Sequence, residues 1–139
     1  LHDALPISRS YLYIRPDVFL VLDRIGVTET THMESRIHIA AKANPLDSHI
    51  ELQNEGFNVG VKLILPQEMS FSQDRHTGLK PGHADPESQE VDYLKLEMDL
   101  LRGTTTVAVA FGIDIEPNVA LELVGQSYLV TSGEQQFKI

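Results

Sequence analysis

The sequence predicts an all-β chain folded as an antiparallel two-layer β-sandwich, a supersandwich-like portion in shape. Three observations carry that expectation. Polar and apolar residues alternate over several stretches, as where Met33, Ile37 and Ile39 share one face with Ser35 while His32, Glu34, Arg36 and His38 take the other. That period of two belongs to a strand with one buried face. Continuous apolar runs such as Val18 to Leu22 are short and end at turn residues or charges. No stretch combines a 3.6-residue apolar period with helix caps, so about nine to eleven short strands must pair and pack against one another.

Taken in order, residues 10–14 and 18–27 form two antiparallel strands broken at Arg15-Pro16-Asp17, where Pro16 has no N–H to give a ladder. Residues 32–41 form the alternating strand that carries Met33, Ile37 and Ile39, and Asn44-Pro45-Leu46-Asp47-Ser48 is a loop by composition. Residues 49–53 make a short strand, and Asn54-Glu55-Gly56 turns it into 57–65, where Val59, Val61, Leu63 and Leu65 share a face. Pro66 ends that strand, and 69–72 is expected as a short edge piece. Residues 73–90 hold Gly78, Pro81, Gly82 and Pro86 among few apolar groups, which predicts a long polar loop.

Residues 91–100 alternate again, with Leu94, Leu96, Met98 and Leu100 on one face and Lys95, Glu97 and Asp99 on the other beside Tyr93. Arg102-Gly103 turns the chain into 104–113, where Thr104, Thr105, Thr106, Val107 and Val109 favour a pleated surface. Glu116-Pro117-Asn118 breaks that strand. Residues 120–124 come next, and 128–131 and 135–139 pair through Ser132-Gly133.

Composition narrows the functional classes. A chain of 139 residues suits one domain, able to hide roughly 70% of its unfolded surface. Twenty acidic residues against 11 basic ones give a net charge of −9. With no basic stripe, a phosphate backbone is repelled, so nucleic acid is not the expected partner. No apolar run nears the roughly 20 residues that cross a bilayer as a helix, so no membrane insertion is expected. There is no cysteine, hence no disulfide, thiolate nucleophile or Cys-held metal. Leu1 to Ser8 resembles a translated sequencing-adaptor tail, the alternative being a strand remnant or linker. The expected organisation is therefore a non-native or remnant tail over 1–8 and one sandwich domain over 9–139.

Three groups of residues invite a chemical reading. His32, Arg36 and His38 lie on one strand face and form either a solvated polar face or a sugar-contacting one. Same-face neighbours stand about 7 Å apart, too far for one metal ion to bind adjacent pairs comfortably. His76, His83 and Asp85 are weak metal candidates lacking a fourth ligand. Asp23 and Arg24 come after an apolar run and point to opposite faces, so adjacency does not pair them; one is expected to meet a charge or backbone amides on a neighbouring strand or on a missing domain, and a structural role is expected of both. No phosphate loop or nucleophile elbow is present.

The segment Arg9-Ser10-Tyr11-Leu12, then Pro16-Asp17, then Phe19-Leu20-Val21-Leu22-Asp23-Arg24 and the His-bearing Arg36-Ile37-His38-Ile39 resembles part of the C-terminal β-sandwich of heparinase II/III-like polysaccharide lyases. That resemblance implies a parent enzyme that cleaves uronic-acid-containing glycans such as glycosaminoglycan or alginate by β-elimination, with an α-helical toroid packed on the sandwich. It also implies a periplasmic or secreted setting. In the family, the sandwich histidines and metal ligands precede the Arg-Ser-Tyr segment. No catalytic residue therefore carries over, no cofactor is expected in this segment, and any metal of the parent is held by residues outside it. Gly82-His83-Ala84-Asp85 is similar to the family's active-site histidine segment, but here it lies downstream of Asp23-Arg24, the wrong order, and is read as chance. The expected partners are the missing toroid of the same chain and, through the parent, an acidic polysaccharide. The alternative is a carbohydrate-binding or structural sandwich without lyase activity.

Overall fold

Two apolar runs, Val18–Leu22 and Val107–Phe111, become neighbouring strands at the centre of the molecule, and the rest is arranged around them. The computed structural model describes residues 6–79 and 88–139. Among these the strands are β1 (Ile7–Ile14), β2 (Val18–Val27), β3 (Thr31–Ile39), β4 (Lys42–Pro45), β5 (Ile50–Asn54), β6 (Phe57–Leu65), β7 (Ser72–Leu79), β8 (Ser88–Leu100), β9 (Gly103–Ile113), β10 (Ala120–Val124), β11 (Ser127–Ser132) and β12 (Gln135–Lys138). They form a large sheet in the order β1-β2-β9-β6-β5-β4 and two small ones, β3-β8-β7 and β10-β11-β12, all with antiparallel pairing.

Successive side chains of a strand point to opposite faces, and β9 uses both. Val107 and Val109 belong to one apolar cluster with Ile25, Val27, Val61, Leu94, Leu96 and Leu100. Ala108 and Ala110 belong to another with Ile14, Leu20, Leu22 and Val130. The centre of the large sheet is therefore buried on both faces, by β3-β8-β7 on one side and β10-β11-β12 on the other, while Tyr11, Tyr13 and Phe19 at its β1 end stay exposed. The all-β antiparallel sandwich expected from the sequence is present, and the last three strands add a cover over its second face. Small alanines on β9 leave room for the bulk of Leu121, Tyr128, Phe137 and Ile139. Among the described residues no polar or charged side chain is buried, so apolar burial, about 1.5–3 kcal/mol for each large side chain, drives the packing.

One end of the large sheet is closed by backbone. Gly60 and Gly112 are directly opposed on β6 and β9, and the chain after β9 lies over both. A Cβ on Gly60 would stand 2.5 Å from the Ile115 carbonyl oxygen, and one on Gly112 2.6 Å from the same atom. Only glycine permits that approach. Asp114, at φ 58°, makes the turn. Its carboxylate accepts from the Asn58 N–H at 2.8 Å, and its own N–H donates to the Asn58 carbonyl at 2.8 Å.

The structure departs from the sequence expectation in several places. Residues 73–90 are not one long loop, since β7 occupies 72–79 and β8 already runs from Ser88. β7 is the edge strand of a small sheet, held by its ladder to β8 and by ion pairs, so it carries no apolar alternation to betray it. Consequently 69–72 is not a separate edge strand; Ser72 opens β7. Part of the expected loop at 44–48 lies in β4, whose four residues pair with β5. β1 starts at Ile7, opposite Ile25, ahead of the boundary expected at residue 9, and the Gly26 N–H reaches the Pro6 carbonyl at 3.0 Å. The remainder of the expected tail, 1–5, lies outside the described residues.

Candidate functional site

The outer face of β3-β8-β7 carries the residues that the sequence marks for sugar contact. Its register sets like charges opposite each other, Glu34 against Glu97 and Arg36 against Lys95, an arrangement that alone would weaken the pairing. Neighbours along and across the strands relieve it. Arg36 donates to Glu34 on its own strand. Lys95 lies 3.3 Å from Asp74 on β7 and 3.6 Å from Glu97. His32 bridges two carboxylates of β8, with Nε2 2.9 Å from Glu97 and Nδ1 3.0 Å from Asp99.

These contacts shift the titrating groups. Asp99 and then Glu97 raise the His32 pKa. Glu34 raises that of Arg36, and Asp74 that of Lys95. Asp74 is lowered by the Arg75 backbone N–H and by Lys95. At the β7–β8 edge Arg75 lies 2.6 Å from Asp92 and 2.9 Å from Glu90, and it lowers the Asp92 pKa.

Arg36 and His38 converge on one ring. The Arg36 guanidinium stands 4.7 Å from the Tyr93 ring centroid, and the His38 and Tyr93 centroids are 5.8 Å apart. Tyr93 is only 4% exposed although it points outward, because these two side chains lie on it. Arg36, His38 and Tyr93 thus form one end of the face. His32 is about 20 Å from His38 along the strand and belongs to the carboxylate end.

Asp23 and Arg24 diverge as strand geometry requires. Asp23 receives the Arg9 Nε and Nη2 at 2.6 and 2.7 Å. Arg24 turns to the other face, where its guanidinium lies 5.3 Å from the Tyr128 ring centroid and 3.3 Å from the Ile139 carbonyl oxygen. Of the sequence's metal candidates, His76 is in β7 opposite Val91, while His83 and Asp85 lie outside the described residues. Among the described residues no three His, Asp or Glu side chains are grouped to hold a metal ion.

A second location was not marked by the sequence. β5 pairs with β6 only up to Val61, and past that point a cleft of about 590 Å³ opens between residues 45–49 and 67–71. Ser48, His49, Lys62, Phe71 and Gln73 line it. Behind it Glu116 lies 3.3 Å from Lys62 and 3.8 Å from the His49 Nδ1. Ser48 and then Lys62 lower the Glu116 pKa, which keeps it a carboxylate. The Ser48 hydroxyl is 3.2 Å from the same His49 Nδ1. Serine and glutamate therefore compete for one ring nitrogen, whereas a nucleophile relay needs them on opposite nitrogens. The cluster suits binding rather than nucleophilic catalysis. It draws on residues up to 68 positions apart, and the one local trace of it is Asn44-Pro45-Leu46-Asp47-Ser48 leading into His49.

No family model matches the chain, and no curated protein matches it. Among solved structures, heparan sulfate lyase HepC from Pedobacter heparinus matches with a TM-score of 0.60 and 14% identity, and a mutant of the same lyase with 0.61 and 14%. Each match covers 97% of this chain and 23% of the lyase. The chain thus spans about a quarter of the length of the lyase it resembles, and it has the fold of that β-sandwich portion.

Proposed function

We propose that this chain is the C-terminal sandwich segment of a polysaccharide lyase acting by β-elimination on uronic-acid-containing glycans, and that it serves as scaffold rather than as carrier of the main catalytic residues. The observation that supports this best is the correspondence of nearly the whole chain with one quarter of a heparan sulfate lyase. β-Elimination needs a base at the sugar C5 proton and a group that neutralises the uronate as charge develops. The described residues fit the supporting part. Arg9, Arg36, Lys62, Arg75 and Lys95 are each paired with a carboxylate, and the cleft histidine is placed for binding. Where the segment meets substrate, Arg36 and His38 over Tyr93 offer a guanidinium and a ring, with His32 farther along. A periplasmic or secreted enzyme and a helical toroid partner belong to the same reading.

The test has two arms. The 139-residue chain alone, incubated with heparan sulfate or alginate, is expected to release no unsaturated uronate, monitored by its ultraviolet absorbance. Robust turnover would end the scaffold reading. The coding DNA is expected to continue upstream of Arg9 into an α-helical domain, and the longer protein is expected to release that product. A different catalytic domain there would favour a carbohydrate-binding or structural module instead.

A further inference from the structure

We propose that the cleft between residues 45–49 and 67–71 is a sugar-binding subsite that takes one or two pyranose rings and recognises them through hydroxyl groups rather than negative charge. Its volume of about 590 Å³ falls within the range of roughly 300–1,000 Å³ usual for small-ligand sites. Ser48, Gln67, Ser70 and Gln73 line it with hydroxyls and amides, groups that both donate and accept, as sugar hydroxyls do. Half-buried Phe71 adds an apolar face on which the C–H side of a pyranose can lie.

The charge balance separates this site from one for carboxylate or sulfate. Lys62 is paired with Glu116 at 3.3 Å, and Asp47 also lines the cleft. The local sum is therefore not positive, and an anion gains little there. The Asp47 side chain, which is on the lining, is instead an acceptor for hydroxyls. Because the β5 ladder ends opposite Val61, β6 past that point pairs with β9 alone, and its other side is an open edge toward the cleft. The choice of a sugar rests on the lyase reading above; the position of the site and its indifference to charge rest on the cleft alone.

The probe is a tetrasaccharide of alternating uronic acid and glucosamine, used as such and after reduction of its carboxylates to neutral hydroxymethyl groups. Titrated into isotope-labelled protein, both forms are expected to shift the backbone amides of Ser48, Lys62, Gln67 and Phe71, with affinities within about threefold of each other. Phe71→Ala is expected to weaken both on the order of tenfold while the circular dichroism of the sheet is kept. Should that variant unfold, Gln73→Ala on the exposed rim replaces it, with an expected loss of about threefold. The proposal is overturned if neither form shifts these amides at millimolar concentration, if reducing the carboxylates abolishes binding, if the folded variant binds as well as the parent, or if shifts are confined to Arg36, His38 and Tyr93. Cleft shifts without lyase product from the longer protein would leave this site standing and end the lyase reading; product without cleft shifts would do the reverse.

Discussion

Arg9 and Asp23 face each other directly across β1 and β2, and the guanidinium grips both oxygens of the carboxylate, at 2.6 and 2.7 Å. The Asp23 side chain is 14% exposed and that of Arg9 51%, so the pair lies half out of water. Such two-point pairs sit at the upper end for exposed ion pairs, about 1 kcal/mol. A double-mutant cycle of Arg9→Ala and Asp23→Ala, read by urea unfolding, is expected to give a coupling of about that size. A coupling near zero would mean that the pair does not fasten β1 to the sheet.

His32 makes stability depend on pH. Its pKa is raised by Asp99 and Glu97, so it lies above the ordinary histidine value of about 6.5. A group with a higher pKa folded than unfolded contributes fully below the unfolded value, and the contribution is lost as pH rises through the folded one. The His32→Gln variant should therefore be less stable than the parent near pH 6 and draw level with it in mildly alkaline solution. Thermal unfolding of both proteins across that window checks this, and an NMR titration of the His32 ring should give a midpoint above about 6.5. A gap that widens with rising pH would contradict it.

Gly112→Ala tests the closed end of the large sheet. The new methyl would meet the Ile115 carbonyl oxygen at 2.6 Å and the Ile115 side chain at 2.9 Å, so backbone must move. A loss of about 1–3 kcal/mol is expected from the overpacking, measured by denaturant midpoint. Gly125→Ala, where a Cβ would meet nothing within 4 Å but φ is +64°, separates conformational strain from crowding. Crowding at Gly112 should cost more.

The two apolar clusters should respond separately. Leu20 and Leu94 are both 0% exposed and lie in different clusters on opposite sides of the large sheet. Leu20→Ala and Leu94→Ala are each expected to cost about 2–5 kcal/mol. Combined, they should add to within about 0.5 kcal/mol if the protein still folds. Leu20→Val and Leu94→Val provide the same comparison at lower cost. Strong non-additivity would mean that the clusters act as one.

Much of the fold was legible wherever a strand has one wet face. The alternation at 32–39 and 93–100 gives β3 and β8 directly, together with the residues on each face. β7 was not legible because its partners are charges on β8 rather than apolar groups beneath it: Arg75 with Asp92 and Glu90, Asp74 with Lys95. The cover formed by β10-β11-β12 had left a trace. The unbroken apolar run Val107–Phe111 is what a strand buried on both faces requires, and a sandwich of only two layers does not need it; in Val18–Leu22 the second face stays open at Phe19, 39% exposed. The cleft left almost none, since Ser48, Lys62, Phe71 and Glu116 come from separate elements and only folding brings them together.

β9 is, in effect, two texts written on one line. Odd positions from Val107 onward spell one interior and even positions the other, valines against one cover and alanines against its opposite. Point substitutions edit one text at a time. Losing or gaining a single residue within the strand exchanges the two, sending branched side chains where only methyl groups fit and leaving gaps where branches were needed. Lineages that carry this sheet should therefore keep the length of β9 more strictly than its spelling, and take their insertions in the connections around it.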